Sequence, residues 1–146
     1  MLILACALGF AACSDDDYEG PTNYEFDTYG VFVVNSGNMT NKINGTLDYI
    51  DLKSNTITNN VFEAANSRSL GLTANDAFAY GSKLYIAVDG EQTVEVVDVK
   101  TFKSISQIKL NGAARHLAAF DGSVFVSSYS GEVCRIDTTS LRIDAK

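Results

Sequence analysis

Few residues in this sequence could do chemistry. There is one histidine, His116, and there are three cysteines, Cys6, Cys13 and Cys134. One histidine cannot build a multi-histidine metal site. Cys134 lies in a strand-like run, EVCRID, where a free cysteine serves as a small apolar filler. No G-x-S-x-G, H-E-x-x-H, C-x-x-C or phosphate-binding glycine loop occurs. The expectation is a protein without enzymatic activity, cofactor or metal. Three aspartates remain, Asp51, Asp98 and Asp137, each three residues before a Ser or Thr (Ser54, Thr101, Ser140). A carboxylate so placed accepts from backbone N–H groups two and three residues on and closes a tight turn. These aspartates are therefore read as structural.

The aspartates belong to a repeat. GTLDYIDLKSNT (45–56), QTVEVVDVKTFK (92–103) and GEVCRIDTTSLR (131–142) align, and VFVVNSG (31–37), LYIAVDG (84–90) and VFVSSYSG (124–131) align upstream of them. Phe32, Tyr85 and Phe125 correspond. A third set, Asp76–Tyr80 and His116–Phe120, precedes only the last two copies, 40 residues apart. The segments are short, β-branched and aromatic, and are punctuated by glycine turns, so they read as strands. The strands run A (76–80, 116–120), B (84–88, 124–128), C (93–99, 132–137) and D (Ser104–Leu110). Four strands per unit of roughly 40 residues is the arithmetic of a β-propeller blade. No long 3.6-residue periodicity supports a helical solenoid, and a β-sandwich does not explain the repeat. The fold class expected is all-β: about three four-stranded blades, residues 30–146, of a larger ring. Three blades cannot close a propeller, which typically takes four to eight. Either further chain completes the ring, which makes this an N-terminal fragment, or arcs assemble.

The first 12 residues, MLILACALGFAA, are apolar and uncharged, too short to span a bilayer and of signal-peptide length. FAAC followed by SDDD resembles a bacterial lipobox, with cleavage before Cys13 and lipid attached to its thiol. The first basic residue is Lys42, so a basic n-region is expected upstream of Met1. Residues 13–29 then form an acidic tether. With Cys6 removed and Cys13 lipidated, only Cys134 remains, and no intramolecular disulfide is expected. The net charge of −7 also divides: residues 13–41 hold six acids and no base, and the rest holds 12 acids and 11 bases. Such a balance argues against nucleic-acid binding through phosphate neutralisation. At 46% hydrophobic residues the chain is too apolar for a disordered protein.

The run Ala114–Ala118, Gly122–Val126, Gly131–Ser140 resembles the YncE-like, YVTN-repeat β-propellers, with Ala114 where proline is common and Arg135 where an apolar residue is common. The SDDD-tagged cysteine, VNSGN, VFEAANSRSLGL and YGSKLYIAVDG resemble a narrower group, the Bacteroides-type surface lipoproteins encoded with outer-membrane uptake systems, some of which capture corrinoids. The resemblance implies a ring of seven blades, a lipid-anchored location on the outer membrane at the cell surface, and an outer-membrane transporter as partner.

Propellers bind at one mouth of the channel, through B–C loops and the starts of the A strands. Here these are Asn35, Ser36, Asn38, Asp89, Glu91, Tyr129 and Ser130 in B–C loops, and Asn75, Asp76, Arg115 and His116 at strand A. The loop Asn35–Asn44 is asparagine-rich, which suits both turn geometry and a polar, uncharged ligand such as a glycan or a corrinoid side-chain amide. Arg115 and His116 could meet an anionic group. An envelope enzyme on a propeller scaffold and a protein–protein scaffold are the alternative functions, because one fold hosts all three.

Overall fold

The computed structural model describes residues 30–146. The signal segment, the tether and Cys13 lie outside these residues. Strands β1 (Gly30–Asn35), β2 (Thr46–Asp51) and β3 (Thr56–Thr58) are followed by a short helix, α1 (Val61–Asn66). Then come β4 (Ala74–Tyr80), β5 (Lys83–Val88), β6 (Thr93–Asp98) and β7 (Ser104–Lys109). The last four strands are β8 (Ala114–Phe120), β9 (Ser123–Ser128), β10 (Val133–Asp137) and β11 (Arg142–Ala145). They make three antiparallel meanders, β1-β2-β3, β4-β5-β6-β7 and β8-β9-β10-β11, in which every strand pairs with its neighbour in sequence. No Greek-key crossover of the kind a β-sandwich uses is present among the described residues. The three meanders are propeller blades laid side by side.

The pairing register fixes how the blades correspond. Phe32 faces Tyr49, Tyr85 faces Val96 and Phe125 faces Arg135. β1 thus matches β5 and β9, the second strands of their blades. The first sheet has no counterpart of β4 and β8, as the sequence repeat anticipated, and the inner edge of β1 carries no strand among the described residues. β4 and β8 begin two residues earlier than expected, at Ala74 and Ala114, and each carries a bulge near its start. A bulge re-aims the side chains beside it.

Alternation along each strand feeds two separate cores. Leu84, Ile86, Val88 and Val97 of the second sheet turn toward the first and pack with Leu47, Phe62, Leu70 and Ala74. Tyr85, Ala87, Val94 and Val96 turn the other way and pack with Val124, Val126, Cys134 and Ile136 of the third. The middle sheet is covered on both faces, and Val94, Val96 and Val97 of β6 are divided between the two cores. Burial pushes the Cys134 thiol above its ordinary pKa, the direction that disfavours the thiolate.

The aspartate turns form as read. Asp51 Oδ1 accepts from the N–H groups of Lys53 and Ser54 (2.8 and 2.9 Å). Asp98 Oδ1 accepts from Lys100 N, Thr101 N and Thr101 Oγ1 (3.1, 2.8 and 2.8 Å). Asp137 Oδ1 accepts from Thr139 N and Ser140 N (3.2 and 2.6 Å). The residue four after each aspartate, Asn55, Phe102 or Leu141, adopts positive φ (53°, 59° and 55°). That conformation is uncommon for Phe and Leu. Phe102 recovers the cost by packing its ring against Tyr49 (5.3 Å between centroids) and Phe32 (6.1 Å).

These N–H donors hold the three carboxyls below the ordinary value of 3.8. The folded state therefore binds protons less readily than the unfolded one. The stabilisation is complete above the unfolded pKa and is lost as pH falls through the lower folded values. Replacing all three by Asn, which keeps an acceptor but cannot titrate, is expected to flatten the fall of Tm between about pH 5 and pH 2. An unchanged slope in a thermal series would place the acid sensitivity elsewhere.

Candidate functional site

The starts of β4 and β8 and the loops after β5 and β9 lie at one end of the blades, because Ala74 pairs with Val88 and Ala114 with Ser128. The aspartate turns lie at the opposite end, where Lys83 pairs with Asp98 and Ser123 with Asp137. No cluster of three or more potential metal ligands occurs among the described residues.

Six of the expected residues meet at the junction of the second and third blades. Asn75 Nδ2 donates to the carbonyl of Ala114 (2.8 Å) and more distantly to Asp89 Oδ2 (3.4 Å). Asp76 is a staple: Oδ1 accepts from Ala77 N (2.9 Å), and Oδ2 reaches across the junction to accept from Leu117 N (2.8 Å). His116 Nδ1 stands 3.9 Å from the same Oδ2, with most of its ring in solvent. The Arg115 guanidinium lies over the Tyr129 ring, 4.5 Å from its centroid, with one Nη 3.8 Å from Asp89 Oδ2. Such stacking orients a guanidinium without consuming its donors.

Asp76 and Asn75 are therefore largely occupied in joining blades. The Arg115 guanidinium has its nearest acceptor, Asp89 Oδ2, at 3.8 Å, and the Asp89 carboxylate is engaged through that same Oδ2. Tyr129 is 69% exposed, which leaves a ring face open. Planar cationic donors, a carboxylate acceptor and an aromatic platform sit within one small area. That set can hydrogen-bond paired hydroxyls or an amide while the ring covers an apolar face.

The other expected residues serve the loop. Asn35 Nδ2 donates to Thr46 Oγ1 and Asp48 Oδ2 (2.9 Å each). Asn38 forms a bridge with Ile43, and its Oδ1 accepts from Asn41 N (2.8 Å). Ser36 Oγ donates to Ala74 O (2.8 Å), docking the loop beside Asn75. Glu91 Oε1 accepts weakly from Leu72 N (3.4 Å), and Ser130 Oγ bonds Ser128 Oγ (2.6 Å). Asn35 and Asn38 thus bond within the loop and its flanking strand, while Ser36 and Asn44, which bridges Leu72, reach toward the neighbouring blade.

Sequence reasoning missed α1 and the loop after it. Val61 and Phe62 are buried between the first two blades. Asn66 presents both amide atoms to the second blade, donating to Phe102 O (2.9 Å) and accepting from Ser104 N (2.8 Å). Arg68 reaches Glu95, whose side chain is fully buried in β6, at 2.7 Å. Ser104 Oγ and Gln107 Nε2 also donate to Glu95. The acid inside an apolar run, VEVVD, was the available signal, since a buried carboxylate needs a partner.

The fold and the loop cluster define a class: an arc of β-propeller blades with a polar, aromatic-floored patch at one end. The chain belongs to the family described as "Domain of unknown function (DUF5074)", which matches residues 29–146. No curated protein matches. Among solved structures the chain is similar to "Dihydro-heme d1 dehydrogenase NirN in complex with DHE", with 13% identity and a TM-score of 0.47, over 82% of this chain and 28% of that one. It is similar to a chain of "Crystal Structure of Mitotic Checkpoint Complex" at the same identity and TM-score, over 93% of this chain and 46% of that one. The chain spans less than half the length of either.

Proposed function

We propose that this protein is a non-enzymatic ligand-binding propeller lipoprotein, held by lipid on Cys13 at the outer surface of the outer membrane and accessory to nutrient uptake through a transporter. The ligand is polar and uncharged, a glycan or a corrinoid bearing side-chain amides. The observation that supports this best is the Arg115–Tyr129 stack beside Asp89, which orients guanidinium donors next to a carboxylate and a largely exposed ring. Near-neutral balance in the folded part favours an uncharged ligand over a polyanion. The lipobox-like FAAC and the SDDD run support the location, and the resemblance to YncE-like surface lipoproteins supports the uptake role.

Calorimetric titration with cyanocobalamin and with neutral oligosaccharides tests the reading. Arg115→Ala and Tyr129→Ala are each expected to weaken binding by about tenfold or more, with little change in the unfolding midpoint. Absence of heat with both probe classes would overturn the assignment. Binding indifferent to both substitutions would remove the site from this junction.

A further inference from the structure

Asn-Gly occurs twice in the sequence, at Asn44-Gly45 and Asn111-Gly112. In this dipeptide the glycine has no side chain to keep its own nitrogen away from the preceding Asn Cγ. The two copies share that local chemistry, and the fold treats them differently. Gly45 is buried, and its N–H donates to Gly71 O (2.7 Å). Asn44 forms a bridge with Leu72 in the same contact. A Cβ at Gly45 would meet Asn35 O at 2.8 Å and Ala74 Cβ at 2.9 Å, so its neighbours press closely. To turn toward Asn44 Cγ, the Gly45 nitrogen must give up its hydrogen bond and open this contact.

Asn111-Gly112 lies in the connection 110–113, which leads from β7 of the second blade to β8 of the third. The chain bends at both residues, and Asn111 is exposed. Gly112 N donates to no backbone carbonyl among the described residues. The connection is instead anchored on either side. Leu110 N donates to Gln92 O (2.8 Å), and Ala113 O accepts from Tyr129 N (3.0 Å). A Cβ at 112 would crowd Ser130, at 3.0 Å from its Cβ and 3.1 Å from its backbone nitrogen. Packing between the blades therefore favours glycine at the position that makes Asn111 labile.

We propose that Asn111 is a site of spontaneous deamidation and isoaspartate formation, selected by the fold over Asn44. The Gly112 nitrogen attacks Asn111 Cγ and forms the N–Cγ bond of a five-membered succinimide. Its proton passes to solvent, and Nδ2 takes up a proton and leaves as ammonia. Water then adds to one of the two ring carbonyls. Breaking the N–Cγ bond gives aspartate, and breaking the bond from nitrogen to the main-chain carbonyl carbon gives isoaspartate. One water is consumed and one ammonia released, with no oxidant, reductant or enzyme.

The product acts on the junction. Either acid places a new negative charge on the connection between blades, and isoaspartate also adds a methylene to the main chain there. Leu110 and Ala113 hold that connection at both ends, so the added length must be absorbed between them or by breaking an anchor. The Ala113 anchor is the one that ties down Tyr129, the ring beneath Arg115. Isoaspartate at 111 therefore loosens the main chain under that ring.

The test is to age the full chain, carrying Cys13→Ala to keep it free of lipid, in mildly alkaline buffer, folded and in concentrated urea. Peptide mapping by mass spectrometry then reads amide-to-acid conversion at each asparagine, and isoaspartate methyltransferase labelling identifies the isomer. In urea the two Asn-Gly sites should react at similar rates. In the folded protein Asn111 should react on the order of tenfold faster than Asn44, which needs local opening first. In the isoaspartate form, hydrogen exchange at Tyr129 N–H should quicken on the order of tenfold. Asn111→Gln, aged in parallel, should show neither change. Equal rates at the two sites in the folded protein, or faster reaction at Asn44, would overturn the proposal. An isoaspartate form whose Tyr129 N–H exchanges as slowly as that of fresh protein would overturn the effect on the junction.

Discussion

Replacing Arg68 by Met is expected to destabilise the protein by about 3 kcal/mol, read as a lower urea midpoint at unchanged slope. Glu95 is fully buried, so its charge has no access to water once Arg68 is gone. Ser104 and Gln107 remain as donors but bring no positive charge. Arg68 is 40% exposed and contributes less through its own desolvation, so the expected loss stands at the lower end of values for broken buried pairs. The double variant Arg68→Met/Glu95→Leu should recover most of it. The third blade supports this, because the position of Glu95 is filled there by Cys134, which is buried without charge. A double variant as unstable as the single one would show that Arg68 acts through packing, with its guanidinium 4.8 Å over the Phe62 ring.

Phe62→Ala should cost about 3–5 kcal/mol, the usual range for deleting a fully buried phenylalanine. Phe62 has no exposed surface and joins the core between the first and second blades. The helix that carries it is only six residues long and too short to be stable alone. Its ends sit in left-handed conformations at Asn60 and Ser67 (φ 51° and 53°). Tertiary burial of Val61 and Phe62 therefore holds the helix, and loss of the ring loosens the segment that delivers Asn66 and Arg68. The losses from Phe62→Ala and Arg68→Met should sum to more than the double variant shows, since the two side chains touch. Chemical denaturation of the three variants checks this, and strict additivity would contradict it.

Much of the architecture was legible because the blade repeat is written in residue types. β-branched and aromatic residues at matching offsets marked the strands, and Asp-x-x-Ser/Thr marked the turns through hydrogen bonds that close within four residues. Cross-junction contacts were less legible. Asp76 reaching Leu117 and Asn66 reaching Ser104 join residues 41 and 38 apart, and nothing in local pattern specifies which blade a side chain will touch. The helix escaped notice because VFEAAN offers less than two turns of periodicity. Among the candidate site residues, Asn75, Asp76, Arg115 and His116 lie near the starts of β4 and β8, the strands that the repeat marks as A. The asparagine-rich loop drew attention by composition alone, and most of its polar groups serve local turns.

The pairing of Arg68 with the buried Glu95 also bears on how the chain avoids assembling wrongly. Repeated blades resemble one another, and a folding chain could lay a strand of one blade against the core of another, a characteristic failure of repeat proteins. The row that holds Glu95 reads differently in each blade: Asp48 in the first, Glu95 in the second, Cys134 in the third. Among the described residues, α1 and its trailing loop deliver an arginine to the second blade alone. If β6 docked where β10 belongs, Glu95 would enter an apolar core without a counter-ion. If β10 docked in place of β6, Arg68 would lose its acid. The pair acts as a chain-order label, penalising shuffled blades while similar apolar neighbours tolerate one another.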